Sequence, residues 1–347
     1  MREFYKMIRV FGINLSSELI SNGNKNLLEY NEILINKQDK IEIFSTAFCE
    51  LLIRSNILII KSSLKNNQNK TLDFNDIITK ISSTNENCWI LLANETLFNY
   101  DFIELNLREI SIQKEKNQKI TSMCASQNGL YYIINKTSLH EIKNDNTQKK
   151  LHEFASHQRI KKISCGMEHC VLLTSNGDVF SFGCGLRGAL GHYEVNSLKV
   201  PKQIEALAGL KVVDIATGSF HSVVLTSFGD VYTWGWNTSG QLGLPKVFQH
   251  TFQNISSNQQ QVFTTPKFIK MERDETVKNV YCGSKHTILK TEDNRIFAAG
   301  LNNFGQLGLS TLSSKKDKFT EIPLKNIDQK TKVVCGYWTT YFIDFPS

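Results

Sequence analysis

A glycine–histidine pattern that occurs three times in the middle of the chain limits the possible folds more than any other feature. In each copy a glycine precedes a histidine by three residues, a second glycine follows that histidine by fourteen residues, and a Leu-Gly pair comes next. The positions are Gly166, His169, Gly183 and Gly191; Gly218, His221, Gly235 and Gly243; and Gly283, His286, Gly300 and Gly308. Three copies that keep this spacing without insertion or deletion indicate an internal structural repeat.

Each copy has the pattern of a β-hairpin. Residues 171–174 and 179–182 form two runs typical of strands, and the sequence Ser-Asn-Gly-Asp between them is typical of a tight turn. Gly177 and Gly229 supply a positive φ at these turns, and Asn294 in the third copy is the next most tolerant residue. No copy contains a long segment of helical period, which argues against a helical solenoid.

The same template extends more loosely over the rest of the chain and gives seven units. Their equivalent starting positions are Thr46, Thr84, Ala125, Gly166, Gly218, Gly283 and Gly336. The units are degenerate over about residues 41–160 and well marked over about 163–309, and the last spans residues 331–347. The early units lack the glycine-rich second half, so we expect simpler outer strands there.

The two ends of the chain complement each other. The last unit stops before its second glycine, whereas residues 11–19 resemble residues 234–242 of a complete unit. We therefore expect a strand within residues 8–20 to complete the last unit, which closes a ring and removes long exposed sheet edges. The sequence predicts an all-β fold, a seven-bladed β-propeller that forms a single domain over residues 1–347.

Composition and charge set the broad class. The 347 residues are 41% hydrophobic and 21% charged, as in packed globular proteins. A formal net charge of +7 permits an anionic partner but is small for a nucleic-acid-binding surface. Apolar runs such as residues 57–60 are far shorter than a membrane-spanning helix, and the first residues lack the hydrophobic core of a signal peptide. We expect a nuclear or cytosolic protein that does not contact a membrane.

Three features of the sequence resemble cofactor-binding or metal-binding motifs, but each is better interpreted as part of the structural framework. Residues 183–188 spell Gly-x-Gly-x-x-Gly, but a dinucleotide site needs a helix to follow, and the equivalent residues 235–240 lack the middle glycine. His152 and His157 are five residues apart, whereas a helical zinc pair is four apart. The eight cysteines include no Cys-x-x-Cys pair. The sequence predicts no cofactor and no metal site.

The repeated histidines His169, His221 and His286 have two interpretations. They could act as acid–base groups or metal ligands, but no nucleophile, paired carboxylate or third ligand accompanies them in sequence. A residue repeated at one blade position favours a structural hydrogen bond near the propeller axis instead. Asp178 and Asp230 are interpreted as turn residues. The sequence therefore predicts no catalytic residues and no enzymatic activity.

Two other groups of residues are candidates for partner binding. Trp234, Trp236 and Trp338 are expected to pack between blades, although Trp236 and Trp338 could instead belong to a contact surface. Two segments interrupt the repeat and are predicted to be loops, which on a rigid scaffold commonly carry binding or are simply solvated. One is the insertion after Leu244, and the other is residues 313–318. The candidate partner-binding residues in them are Phe248, Phe252, Lys315 and Lys316.

These repeats resemble the regulator of chromosome condensation family. The resemblance rests on the segments at residues 218–222, 229–237 and 239–243, and it is specific over residues 163–309. The run at residues 234–245, the long insertion after it and the ending at residues 335–341 resemble one member in particular. That resemblance implies a nuclear, chromatin-associated binding protein that partners a JmjC-type histone-lysine demethylase or hydroxylase.

Three hypotheses about function follow from the repeats and the resemblance. The first is a rigid, non-catalytic scaffold that presents loop-built surfaces to a chromatin enzyme. The second is guanine-nucleotide exchange on a small GTPase, which the founding family member performs; this sequence has no assignable wedge for that work. The third is direct binding of nucleosomes or DNA, with histones as possible partners and without recognition of a specific nucleic-acid sequence. The resemblance implies a nuclear location, on the chromosome, with the cytoplasm as an alternative.

Overall fold

The chain is described by a computed structural model over residues 5–12, 31–36, 41–46, 49–62, 69–115, 117–244, 261–309, 313–324 and 327–344. The regular secondary structure of the described residues is β-strand, apart from one short 3-10 helix at Glu205–Leu207. Among them, no helix has the length and apolar character needed to cross a membrane.

The strands in these residues are, in chain order, β1 (Tyr5–Gly12), β2 (Asn31–Asn36), β3 (Ile41–Ser45), β4 (Cys49–Arg54), β5 (Ile57–Ser62), β6 (Lys70–Asp73), β7 (Ile78–Ser83), β8 (Asn87–Leu92), β9 (Leu97–Asp101), β10 (Asn106–Ile110), β11 (Ile120–Ser126), β12 (Gly129–Ile134), β13 (Ser138–Lys143), β14 (Gln148–Glu153), β15 (Ile160–Cys165), β16 (His169–Thr174), β17 (Val179–Gly183), β18 (Leu198–Gln203), β19 (Val212–Thr217), β20 (His221–Thr226), β21 (Val231–Trp236), β22 (Val262–Ile269), β23 (Val277–Cys282), β24 (His286–Thr291), β25 (Ile296–Leu301), β26 (Lys315–Ile322), β27 (Lys332–Cys335) and β28 (Thr339–Asp344).

These strands form seven four-stranded antiparallel sheets, which confirms the predicted seven-bladed β-propeller. Blades 1 to 6 are β3–β6, β7–β10, β11–β14, β15–β18, β19–β22 and β23–β26. Blade 7 has the order β27-β28-β1-β2. The fold is therefore all-β, and the two ends of the chain share its last sheet.

The turn between the first two strands confirms the alignment of the degenerate units. In blade 4 the Gly166 amide donates to the carbonyl of His169 at 2.8 Å, three residues further on. The same bond is made from Thr46, Thr84, Gly218, Gly283 and Gly336. Because the threonines of blades 1 and 2 make the same bond as the glycines of later blades, the loosely matched units are true repeats.

The chain divides into two compact units. Unit 1 contains blades 1, 2 and 7 together with residues 304–311, and unit 2 contains blades 3, 4, 5 and 6. The expectation of a single domain over residues 1–347 stays a prediction.

In unit 1, the N-terminal strand pairs with the C-terminal strand as predicted. Val10 lies opposite Tyr341 and Phe11 opposite Thr340, and the rings of Phe11 and Phe342 meet edge to face at 5.7 Å. The strand is Tyr5–Gly12, which overlaps the predicted range of residues 8–20 at residues 8–12, and β2 adds a fourth strand. Residues 13–30 lie outside the described residues.

Buried polar contacts support this closure of blade 7. Arg9 of β1 forms an ion pair with Asp344 of β28, and the Thr331 hydroxyl donates to Asp344 at 2.7 Å. The Tyr341 hydroxyl donates to the carboxylate of Glu50 in blade 1 at 2.7 Å, and that glutamate is only 3% exposed. Side chains from both ends of the chain are therefore fixed by charge-assisted bonds in a region sheltered from water.

In unit 2, threonines fix the turn between the second and third strands. The hydroxyl of Thr174 accepts from the amide of Asp178 at 3.0 Å, and Thr226 accepts from Asp230 at 3.2 Å. Thr291 does the same for the amide of Arg295. Asp178 and Asp230 are thus turn residues, as predicted.

The fourth strands of unit 2 carry lysines and prolines. The lysines are Lys149, Lys150, Lys199, Lys202, Lys267, Lys315, Lys316 and Lys318. Pro201 and Pro266 each remove a backbone donor from such a strand. Lysine and proline on a sheet edge discourage pairing with another chain.

The buried bond between Tyr341 and Glu50 provides a test of the closure. We expect Tyr341→Phe to lower the free energy of unfolding by about 2 kcal/mol, because the sheltered Glu50 carboxylate loses a donor. Urea denaturation measures this change. Tyr193→Phe, at a 73% exposed tyrosine, is the matched control and should leave the midpoint unchanged. Equal midpoints for Tyr341→Phe and wild type would contradict this role for the bond.

Candidate functional site

The repeated histidines connect neighbouring blades in unit 2. His169 Nε2 lies 3.0 Å from the Ser222 hydroxyl of blade 5, and His221 Nε2 lies 3.0 Å from the Thr287 hydroxyl of blade 6. Each hydroxyl donates its proton onward to a backbone carbonyl, that of Ala189 at 3.0 Å or that of Gln241 at 2.7 Å. His169 and His221 therefore each connect two neighbouring blades through a hydrogen bond.

These bonds assign the tautomer of both histidines. Because a hydroxyl has one proton and here donates it to a carbonyl, it accepts from Nε2–H of the histidine. The other ring nitrogen, Nδ1 of His169 and of His221, has no hydrogen-bond partner among the described residues. Each ring is therefore neutral, with the proton on Nε2.

Burial keeps these rings neutral at ordinary pH. It lowers the pKa of His169 and of His286 to about 4. The pKa of His221 is lowered to about 3, first by burial and further by repulsion from the other two histidines. Removing a charged imidazolium from water costs free energy, so these side chains are poorly suited to exchange protons with a substrate.

The glycine three residues before each histidine makes room for its ring. A Cβ added at Gly166 would lie 2.6 Å from Nδ1 of His169, and a Cβ at Gly218 would overlap the ring of His221. Neither glycine needs a positive φ. The Gly-x-x-His spacing is therefore a steric requirement, because the imidazole lies directly on the glycine backbone.

Other repeated residues also serve contact between blades 4, 5 and 6. The buried Trp234 donates from Nε1 to the Ala189 carbonyl at 2.8 Å, as expected for packing between blades. A Cβ on Gly191 would lie 3.0 Å from the same Nε1. A Cβ on Gly243 would overlap the ring of Phe319 in β26.

A ladder of backbone bonds places the residues that follow the first turn glycine. The amide of Gln127 donates to the carbonyl of Met167 at 2.8 Å, Met167 to Ser219 at 3.0 Å, and Ser219 to Ser284 at 3.1 Å. The residues immediately after the last three are Glu168, Phe220 and Lys285, and all are half-buried. This ladder holds them at one end of blades 4, 5 and 6.

Two of these residues belong to a group that we call the cation–aromatic cluster: Arg187, Phe220, Trp236 and Lys285. The guanidinium carbon of Arg187 lies 3.7 Å from the centre of the Phe220 ring and 4.8 Å from that of Trp236. Lys285 Nζ lies 5.4 Å from the Trp236 ring centre, and Phe220 and Trp236 meet edge to face at 5.7 Å. Two cations thus lie on a pair of aromatic rings, within the range of cation–π attraction.

A related contact occurs in unit 1. Phe304 is at the repeat position of Arg187, and Trp338 is at the position of Phe220. Their ring centres are 5.4 Å apart, and Tyr337 lies 4.5 Å from Trp338. Contact between these two repeat positions is therefore a recurrent feature of the fold, whereas its combination of charge and aromatic surface is specific to blades 4 to 6.

The structure only partly describes the predicted partner-binding residues. Phe248 and Phe252 lie outside the described residues. The prediction of a loop at residues 313–318 was wrong, because β26 begins at Lys315 and pairs with β25, with Leu301 opposite Lys315 and Gly300 opposite Lys316. Their role in binding stays a prediction.

Sequence reasoning missed Arg187, Phe220 and Lys285, and of the cluster it named only Trp236, which with Trp338 was an alternative surface residue. The contacts between them cross from one blade to the next, so one repeat does not reveal them. The alignment of the repeats did contain a signal: the position two residues after the turn glycine is occupied by Glu168, Phe220 and Lys285, whereas the turn glycine and the histidine that follows are the same in all three copies.

The other motifs provide structural contacts. Residues 189–203 contain no helix after the Gly-x-Gly-x-x-Gly segment, and a Cβ on Gly185 would overlap the backbone of Asn196. His152 is on β14, where its ring packs 4.5 Å from that of Phe154. In the described part of the chain no group of three or more His, Cys, Asp or Glu side chains has the arrangement of a metal site.

Comparison with known proteins agrees with the repeats seen in the structure. The family model named Regulator of chromosome condensation (RCC1) repeat matches residues 176–225 and 229–289. A second model of the same description matches residues 160–189, 212–241 and 277–306. The chain is a β-propeller that contains regulator of chromosome condensation repeats.

Among individual proteins, it resembles human RCC1 domain-containing protein 1, with 31% identity over 209 residues. The match covers 53% of this chain and 56% of that protein, so the chain spans about half the length of this curated relative.

Solved structures show the same fold at low identity. Prp20p from Saccharomyces cerevisiae matches with a TM-score of 0.79 and 14% identity, over 98% of this chain and 91% of Prp20p. Human WBSCR16 matches with a TM-score of 0.75 and 13% identity, over 97% and 99% of the two chains.

The packing of His221 on Gly218 predicts an unusually damaging small substitution. We expect Gly218→Ala to lower the free energy of unfolding by about 3 kcal/mol, because the new methyl group overlaps the imidazole and the site is closely packed. The control is Gly209→Ala, where φ is +84° but no atom lies within 4 Å. It should cost about 1 kcal/mol. Urea denaturation compares them, and a larger loss at Gly209 would contradict the steric explanation.

The low histidine pKa values predict a loss of stability in mild acid. A histidine whose pKa in the folded protein lies below its usual 6.5 binds a proton more readily when the chain is unfolded. Its contribution to the free energy of unfolding is therefore complete above about pH 6.5. For His221 this stabilising contribution is lost as the pH falls from 6.5 towards its folded pKa of about 3. We expect His221→Gln to flatten the decline in stability between pH 6.5 and 4, whereas His157→Gln, at an exposed histidine, leaves it unchanged. Urea midpoints across this range measure the difference; parallel curves for wild type and His221→Gln would contradict it.

Proposed function

We propose that this protein is a non-catalytic protein-interaction scaffold associated with chromatin, and that its partner is a JmjC-type histone lysine demethylase or hydroxylase. The observation that carries the interaction role is the cation–aromatic cluster, which is held on the ends of closely packed strands. Half-buried aromatic and arginine side chains are the groups that most often supply binding energy in protein interfaces.

The histidines support a scaffold rather than an enzyme. His169 and His221 are the most prominent repeated titratable residues, and each is buried and bonded to a neighbouring blade. General acid–base catalysis needs a group near its operating pKa and within reach of a substrate proton. In the described residues these histidines meet neither condition.

The comparisons support an interaction role. The resemblance to RCC1 domain-containing protein 1 favours a similar role for this chain over the matched residues. The yeast protein Prp20p has binding properties to Gsp1p and histones, so one protein of this fold binds protein partners. A nuclear location follows from the proposed chromatin partner.

Cross-linking mass spectrometry of the tagged full chain from nuclear extract tests this function. We expect cross-links to a JmjC-domain protein, and we expect the same enzyme to be lost from purifications of an Arg187→Gln, Lys285→Gln double variant. A double variant of Arg159 and Lys199 to glutamine is the control, because both residues are exposed and lie outside the cluster. Recovery of neither a JmjC protein nor a chromatin component with wild type would contradict the chromatin scaffold.

A second candidate, nucleotide exchange on a small nuclear GTPase, follows from the resemblance of the repeats to the regulator of chromosome condensation family, whose founding member performs exchange. Release of a fluorescent guanine nucleotide from such a GTPase, with and without this protein, separates the two. The scaffold proposal predicts the same release rate in both reactions. Accelerated release at catalytic amounts of this protein would favour exchange instead.

A further inference from the structure

Arg187 is arranged to bind an anion. Phe220 covers one face of its guanidinium at 3.7 Å, and Trp236 lies 4.8 Å away. In the described part of the chain no carboxylate is within ion-pair distance of Arg187, and none of its N–H groups has a hydrogen-bond acceptor. A guanidinium held against an aromatic ring keeps its planar fork of N–H donors, to which a carboxylate can bind through two oxygens.

Lys285 adds a second cation on the same aromatic support. Its Nζ is 5.4 Å from the Trp236 ring centre, and it too has no ion pair among the described residues. Glu168 occupies the equivalent position in blade 4 and, within the described ranges, forms no ion pair with either cation. Neither positive charge of the cluster is therefore paired with a carboxylate among the described residues.

Apolar surface adjoins these charges. Leu186, next to Arg187 in the chain, is 72% exposed. The same connection between β17 and β18 contains Tyr193, which is exposed and adopts a positive φ of 65°. Its amide is held by the Thr264 carbonyl at 3.1 Å. Bulky residues seldom adopt this backbone conformation, and where they do the strain often marks a functional surface.

The combination favours a peptide over a nucleic acid. Binding along a phosphate backbone uses many cations, whereas the cluster provides two. A surface with an arginine, a lysine and exposed apolar side chains is complementary to a peptide segment that alternates acidic and apolar side chains. Charge complementarity would position the acidic groups, and the rings and Leu186 would contact the apolar ones.

We propose that the cation–aromatic cluster, together with Leu186 next to Arg187 and Tyr193 in the same connection, binds an acidic segment of a partner protein, in which acidic side chains bind Arg187 and Lys285 and a neighbouring apolar side chain packs on the exposed apolar surface. This proposal rests on the proposed function and specifies where and by what chemistry the scaffold contacts its partner.

Fluorescence anisotropy with defined probes tests the proposal on the full chain. The probes are three labelled peptides of one length with identical Leu and Phe positions, in which the remaining positions are Glu and Asp, Gln and Asn, or Lys. A labelled DNA duplex is the fourth probe. We expect the acidic peptide to bind at least about tenfold more tightly than the amide peptide, and the lysine peptide not to bind. Equal affinity for acidic and amide peptides, or tighter binding of DNA, would overturn the proposal.

Matched variants locate the binding site. Arg187→Gln and Lys285→Gln should each weaken binding of the acidic peptide by about tenfold, whereas Arg159→Gln and Lys199→Gln should not change it. Arg187→Lys keeps the charge and loses the planar stacked group, so it should bind between Arg187→Gln and wild type. Urea midpoints equal to wild type confirm folding. Equal losses in the cluster and control variants, or a change in sedimentation that shows the cluster pairing two copies of this chain, would overturn the proposal.

The two proposals fail in different ways. If a JmjC partner is recovered equally by wild type and Arg187→Gln, and the acidic peptide does not discriminate, the cluster proposal is wrong and the scaffold function stands. If the acidic peptide binds as expected but no chromatin protein is recovered, the proposed function is wrong and the binding site stands.

Discussion

The contact between a histidine ring and a glycine backbone underlies much of unit 2. The ring reaches the hydroxyl of the next blade only because nothing larger than hydrogen lies beneath it. That hydroxyl then bonds a carbonyl from a third segment, so one side chain fixes two blades and a connection. Burial makes an unpaired imidazole costly, and the neutral ring with one well-placed donor avoids most of that cost.

The fold was predictable because this contact is local in sequence. A glycine three residues before a histidine is a short, regular signal, and the hairpin after it has the period of strands. The turns at Thr46 and Thr84 were harder to identify, since threonine there replaces the glycine while the same backbone bond is kept. The outer strands were misjudged for a physical reason. Strand β26 begins with two lysines and includes Asp317, so its composition is that of a loop, although its backbone pairs with β25.

The candidate site was much less predictable than the fold. Trp236 was recognised as an alternative surface residue, but Arg187, Phe220 and Lys285 lie in three different repeats and meet only when blades 4, 5 and 6 pack side by side. The period of the repeat does not predict contacts between side chains of different blades. The same two repeat positions give an aromatic pair, Phe304 and Trp338, in unit 1. The scaffold thus provides a fixed position, and the residue at that position determines whether it is inert packing or a charged surface.

The pairing of β1 with β28 has a consequence for synthesis of the chain. Arg9 and Asp344 are 335 residues apart, and β1 is made long before its partner. At ribosomal rates of about 5–20 residues per second, β1 waits roughly 20 to 70 seconds for β28 to emerge. During that interval the edge of β1 that will pair with β28 faces either water or a chaperone, whereas its other edge can already pair with β2. The four strands of each of blades 3 to 6 are consecutive in the chain, so these blades have no such delay. In the nascent protein they can therefore form before β1 pairs with β28.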